Sequence, residues 1–303
     1  MHSGKLMSLL RGVARRNGDF FRVRIESVGP ERSFFQTFWT RAADPSEAID
    51  SVHGACRRLG MKDSIVSELD YADVSSMPED SVYEKKSNVF YAPQRHLFPT
   101  EKSFIAPIGI IGSSEGGEHD YELIQEGFSL TKVENIYELE AVLDRSSLFN
   151  TFLELIKKLP SIKVFWIRIA ADWENRRREE FWTNEDLNTI ESITNFLSTR
   201  MDDTVENGHV ALTVYSSVGE TNLSIDTHKT IEGLTKSEEM QQRMADGLRE
   251  LGFSELTKLY SLRYDYHHWH YRPAQAKSRT KLVRALKRCG FTLWREHEVE
   301  PTG

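Results

Sequence analysis

One junction is written three times in this chain, and it narrows the available folds more than any other feature. Arg58-Leu59-Gly60-Met61, Glu250-Leu251-Gly252-Phe253 and Arg288-Cys289-Gly290-Phe291 each close an amphipathic helical pattern with glycine and pass directly to an apolar residue. Glycine readily takes the left-handed backbone that ends a helix. A helix stopped this way and followed by extended sequence returns across a sheet, which indicates an α+β protein of packed helices and strands. The repeats are too short for a solenoid.

The elements around these junctions fall into two groups. Residues 20–27 and 33–40 are rich in β-branched and aromatic residues and flank Val28-Gly29-Pro30-Glu31-Arg32, which predicts a hairpin. Asp44-Pro45-Ser46-Glu47 opens a helix with a capping acceptor, a proline at the first helical position and an acid in the first turn. Residues 64–71 resume as strand, so the N-terminal lobe starts β-β-α-β. A polar, acidic connection over 72–99 holds a short strand near 88–91. Beyond it come a strand over 127–133 and helical stretches over 134–143 and 147–159. The boundary is placed at Pro160, dividing an N-terminal lobe, 1–160, from a C-terminal lobe, 161–303. The second lobe reads strand 162–170, a helix capped by Thr183-Asn184-Glu185-Asp186, strands 209–216 and 221–233, a helix opened by the capping box Thr235-Lys236-Ser237-Glu238, and a long strand 260–271. That is the β-α-β-β-α-β order of the ferredoxin-like split unit, with strand three beside strand one, extended by helix 277–289 and strand 291–298.

Charge is distributed unevenly. Residues 258–288 hold nine Lys and Arg against the single acid Asp265, a local net of +8 in a chain whose total is −7, which leaves −15 on the rest. Cys56 and Cys289 fall on apolar helical faces, as reduced core thiols of an intracellular, cytoplasmic protein would. No apolar run is long enough for a transmembrane helix, and no membrane partner is expected. Lys5, Arg11, Arg15 and Arg16 precede the first acid, Asp19, as in a presequence, but an amphipathic helix packing Leu6, Leu9, Leu10 and Val13 is the preferred reading.

Four stretches bear on chemistry. Gly112-Ser113-Ser114-Glu115-Gly116 matches a nucleophile-elbow pattern, yet strand-like sequence follows where a helix is required, so it is read as a turn. His267, His268 and His270 with Asp265 suggest a metal, but only His268 and His270 share a strand face and no paired ligand motif accompanies them; no metal and no cofactor is expected. Asn222, Ser224, Asp226 and His228 form a polar row on one strand, too widely spaced to orient one another as a triad. That row is a candidate binding face, joined by Trp166, Arg168 and residues of the strand 260–271: Arg263, Tyr264, Tyr266, His268 and His270. Trp173, Arg176 and Arg177 sit in a charged, tryptophan-rich stretch read as a partner-binding loop. Lys281, Arg284 and Lys287 line the polar side of the last helix.

No catalytic signature carries through, so a non-enzymatic protein-binding module is expected, of the immunity or antitoxin type, with an acidic scaffold facing a basic partner. The alternative is a nucleic-acid-binding protein using the basic aromatic stretch 258–288. A second alternative is a hydrolase or nuclease using His228 with Asp226 or the His268/His270 pair.

Overall fold

The computed structural model describes residues 18–28, 33–61, 64–97, 104–112, 123–171, 173–175, 177–263 and 268–298. Mixed α and β structure with large antiparallel sheets is confirmed, with five α-helices among the described residues. The chain divides into two compact units. One comprises 1–102, 111–119 and 266–274, the other 103–110, 120–265 and 275–303.

The first unit is built from β1 (Asp19–Val28), β2 (Ser33–Ala42), α1 (Pro45–Arg58), β3 (Ile65–Tyr71), β4 (Val82–Glu84), β5 (Val89–Tyr91) and β6 (His96–Leu97). The sheet runs β3-β1-β2-β5-β4, with β6 also on β2. β1 and β2 pair antiparallel from Asp19 opposite Ala42 to Val28 opposite Ser33, as the sequence predicts. The cap of α1 forms as read: Asp44 accepts from the Glu47 amide at 2.8 Å, and Glu47 accepts from the Ala43 amide at 2.7 Å. Ala48, Ile49, Val52, Ala55 and Cys56 make its buried side. β7 (Ile110–Gly112) follows; its Ile111 and Gly112 belong to this unit.

The chain then builds most of the second unit: β8 (Gly127–Val133), β9 (Ile136–Val142), α2 (Leu148–Lys158), β10 (Val164–Ile169), β11 (Arg178–Asn184), α3 (Ile190–Ser198), β12 (Val210–Ser216), β13 (Thr221–Ile225), β14 (Ile231–Thr235) and α4 (Glu238–Glu250). It returns to the first unit for β15 (His268–His270), which pairs with β7, and ends in the second with α5 (Arg279–Arg288) and β16 (Thr292–Glu298). The sheet of this unit has eight strands in the order β16-β11-β10-β12-β13-β14-β9-β8, every described pairing antiparallel. Strand alternation sends Phe165, Ile167, Ile169, Leu212, Val214, Leu223 and Ile225 to one side. There they form one core with Phe152 and Leu155 of α2, Ile193 and Leu197 of α3, Met244 and Leu248 of α4, and Leu282 and Leu286 of α5. Each such side chain contributes about 1.5–3 kcal/mol on burial.

All three glycine junctions close in the same way. Gly60, Gly252 and Gly290 have φ of 71, 93 and 84°. In each case the next amide donates to the carbonyl five residues back: Met61 to Cys56 at 2.9 Å, Phe253 to Leu248 at 3.0 Å and Phe291 to Leu286 at 3.1 Å. Any residue other than glycine would be strained at these dihedrals.

Several expectations are corrected. Residues 136–142 are β9 rather than helix, because Leu139 and Ala141 bury at strand spacing against the core while β8 and β14 satisfy the backbone on both sides. Helix-forming Glu, Leu and Ala are overridden by pairing. β8 and β9, written before Pro160, thereby join the sheet that holds β10 to β14. The charged stretch read as a loop contains β11, whose inward Glu180 is matched by Arg279 at 2.9 Å and by the Trp182 indole N–H at 2.8 Å. β11 takes one side of β10 and β12 the other, so strand three of the expected split unit does not lie beside strand one. α3 starts at Ile190 with a Thr189 and Ser192 capping box, and α4 is capped by Ser237. The strand 221–233 is the hairpin of β13 and β14. Of the long strand 260–271, the described part holds only β15.

Cys56 is buried, and burial pushes its thiol up to about 12; both cysteines are free. Among the described residues no helix is long and apolar enough to cross a membrane. The N-terminal helix, the glycine-serine turn beyond Gly112, and Arg176, Tyr264, Tyr266 and His267 lie outside the described residues.

Candidate binding face

The side of the eight-stranded sheet opposite its helices carries the outward residues of each strand. From β11 inward, Thr183, Trp166, Thr213, Ser224, Glu232 and Glu140 stand opposite one another on successive strands. The neighbouring row holds Tyr215, Asn222, Leu234 and Glu138. Asn222 and Ser224 are therefore on this face, half-buried, as the sequence predicts.

At the β16 end the face is aromatic. Trp166 stacks on Trp294 with ring centres 5.7 Å apart and planes at 9°, and on Tyr215 at 6.5 Å and 18°. Phe181 meets Trp294 edge-on at 6.3 Å. The stack depends on a register shift: Phe181 pairs with Arg295 and Trp182 with Leu293, which leaves Trp294 as the extra residue of a β-bulge. Such a bulge re-aims a side chain. Trp294 remains 59% exposed, the most exposed large apolar side chain among the described residues. Cations beside the stack are matched internally, Arg168 with Glu179 at 3.2 Å and Arg178 with Glu298 at 3.1 Å.

At the β9 end the face is acidic. Glu140 stands directly across from Glu232, with Glu138 on the same strand. Like charges opposite one another weaken a sheet. Glu232 is paired with Arg263, and Glu138 accepts from the Thr131 hydroxyl at 3.2 Å.

The β13–β14 turn brings together two residues that a straight strand would separate. His228 Nδ1 donates to Asp226 at 2.9 Å, Asp226 also accepts from the Thr230 amide at 2.9 Å, and Arg263 lies 3.8 Å away. Burial works to raise the Asp226 carboxyl, but the His228 bond and charge, the Thr230 amide and Arg263 outweigh it and hold the group below its usual range. Asp226 thus orients His228, contrary to the reading from strand spacing. Ser224 does not complete a triad, since its hydroxyl bonds the Glu232 carbonyl at 3.4 Å.

Beneath the turn is Lys229, a residue missed in the sequence. It is 2% exposed, has φ of 62°, and donates to the carbonyls of Asn207 at 2.7 Å and Val210 at 3.0 Å. Burial lowers its ammonium to about 7 against the pull of Asp226 and Glu206. Burial, with the Asp202 hydrogen bond and charge, raises Glu206 to about 7.

Trp173 is buried and stacks on His209 at 5.3 Å, so it is core rather than rim; Arg177 is exposed. Lys281, Arg284 and Lys287 project outward from α5, with Lys287 over the Trp182 ring at 5.4 Å. His268 and His270 lie in the first unit. The missed residues of the face are Tyr215, Phe181 and Trp294.

Fold and face define an α+β protein with an antiparallel sheet covered by helices on one side and bearing an aromatic and carboxylate surface on the other. No protein-family model matches the chain, nor does any curated protein or solved structure.

Proposed function

We propose that the chain is a non-enzymatic protein-binding module that takes a basic partner on the outward face of the eight-stranded sheet, as an immunity-type protein would. The observation that carries this is Trp294, exposed yet held in register by its bulge against Trp166. A preordered, exposed tryptophan loses little entropy on contact and suits the centre of an interface. The carboxylates Glu138 and Glu140 of β9 supply the opposite charge to a basic partner and steer its approach.

A second reading has one observation in its favour. Lys281, Arg284, Lys287 and Arg288 are exposed, and none forms an ion pair among the described residues, so these four charges of α5 are not consumed inside the fold, unlike Arg279. Phosphate groups of a nucleic acid would match it.

One experiment separates the two. Protein captured from host extract is purified and titrated against the chain and against Trp294→Ala. Loss of about 2 kcal/mol or more of binding is expected, a hot-spot loss; unchanged affinity would refute the proposed face. Nucleic acid that elutes with salt, and is no longer captured after Lys281, Arg284 and Lys287 are replaced by Glu, supports the second reading instead.

A further inference from the structure

We infer that β15 carries a binding site for a divalent transition-metal ion of zinc-like preference, held by the imidazoles of His268 and His270. His268 and His270 both belong to the first unit.

Residues two apart on a strand project from the same side, about 6.8 Å apart at Cα. His268 and His270 do so, with ring centres 5.3 Å apart and planes at 79°. Their ligand nitrogens lie within 4.8 Å of one another. A tetrahedral ion with Zn–N bonds of about 2.0–2.1 Å needs nitrogens about 3.4 Å apart, a closure that small side-chain rotations supply.

The strand is anchored by the residues between and after the two histidines. Trp269 meets Tyr71 of β3 edge-on at 6.1 Å. Tyr271 is 2% exposed and packs near His53 of α1 at 6.4 Å. Arg272 pairs with Asp50 at 2.9 Å, and Arg57 donates to the Ala274 carbonyl at 2.7 Å. Ser46 reaches the His270 carbonyl at 3.5 Å. Every second side chain is thus fixed into the unit, which holds both histidines on the other face before any ion arrives. Neutral imidazole suits zinc, nickel, cobalt and copper, and two protein nitrogens leave coordination positions for water or for donors of a bound molecule.

The test uses the full chain and Zn²⁺ or Co²⁺ alone, in isothermal titration, with His268→Gln, His270→Gln and the double variant. Wild type is expected to bind one ion, each single variant at least tenfold more weakly, and the double variant no more tightly than other surface histidines allow. X-ray absorption of the zinc-loaded chain should show at least two imidazole nitrogens on one ion. Binding should weaken as pH falls through the histidine range, because imidazole must be neutral to ligate. Circular dichroism identical to wild type establishes that the variants fold. Equal affinity of folded wild type and double variant, or an ion lacking imidazole ligands, overturns the assignment.

Discussion

Lys229→Met tests the least expected group in the second unit. The folded ammonium is lowered from 10.5 to about 7 by burial, so between those values the unfolded chain binds a proton that the folded chain does not. Stability therefore rises with pH across that window, at about 1.4 kcal/mol per pH unit and about 5 kcal/mol in all, and is unaffected by this group below it. Methionine abolishes the slope and also removes the Lys229 donor from the carbonyls of Val210 and Asn207, a loss of about 1–3 kcal/mol at Val210 and less at Asn207, which still accepts from the Val210 amide at 3.0 Å. Near pH 6 the relief of burying a charge offsets or exceeds that loss, so the variant should be about as stable as wild type or modestly more so. Near pH 10 the wild-type lysine is neutral and still bonded, so the variant should be the weaker protein by several kcal/mol. Urea unfolding of both proteins from pH 6 to 10 measures the difference directly. A stability gap constant across this range would mean that Lys229 stays charged in the fold, and would refute the reasoning.

Other perturbations test separate parts of the structure. His53 is fully buried, neither ring nitrogen has a hydrogen-bond partner among the described residues, and burial together with Arg57 and Arg272 lowers it to about 3 from 6.5. The unfolded chain takes up the proton first, so wild type should lose about 1.4 kcal/mol per pH unit below 6.5 through this group, and His53→Leu should remove that decline in acid-unfolding curves. Arg279, 3% exposed, donates to the carbonyls of Ala170 and Arg178 and to Glu180; Arg279→Met should destabilise by about 3–5 kcal/mol in urea unfolding, because Glu180 is left half of a broken buried pair. Trp294→Ala should abolish the exciton couplet of the Trp166 stack in far-ultraviolet circular dichroism while changing stability little; a couplet that survives means the stack does not form in solution.

Much of the local structure was legible in the sequence. The strands β1, β2, β3, β5, β8, β10, β12 and β16 and the helices α1 and α5 fall where periodicity and capping residues put them. The errors share a cause. β9 and β11 are spelled with Glu, Leu, Ala and Arg, residues that favour helix or solvent until a neighbouring strand or a buried Arg279 satisfies them. The candidate face was half legible: Trp166, Asn222 and Ser224 follow from strand alternation alone. Trp294 could not be placed without knowing that β16 pairs with β11 and slips by one residue there. Asp226 and His228 were paired in one reading of the sequence but judged too far apart to orient one another, because the segment turns at Asp226 instead of running on as strand.

The sequence by itself determined how α1, α4 and α5 stop, at the three glycine closures, because a capping bond and a left-handed dihedral are settled within a handful of residues. Tertiary structure decided which strands are neighbours, which charges are buried, and which aromatic rings share a face. Those outcomes depend on hydrogen bonds and desolvation between residues such as Arg279 and Glu180 that lie 99 positions apart, and no local pattern records them.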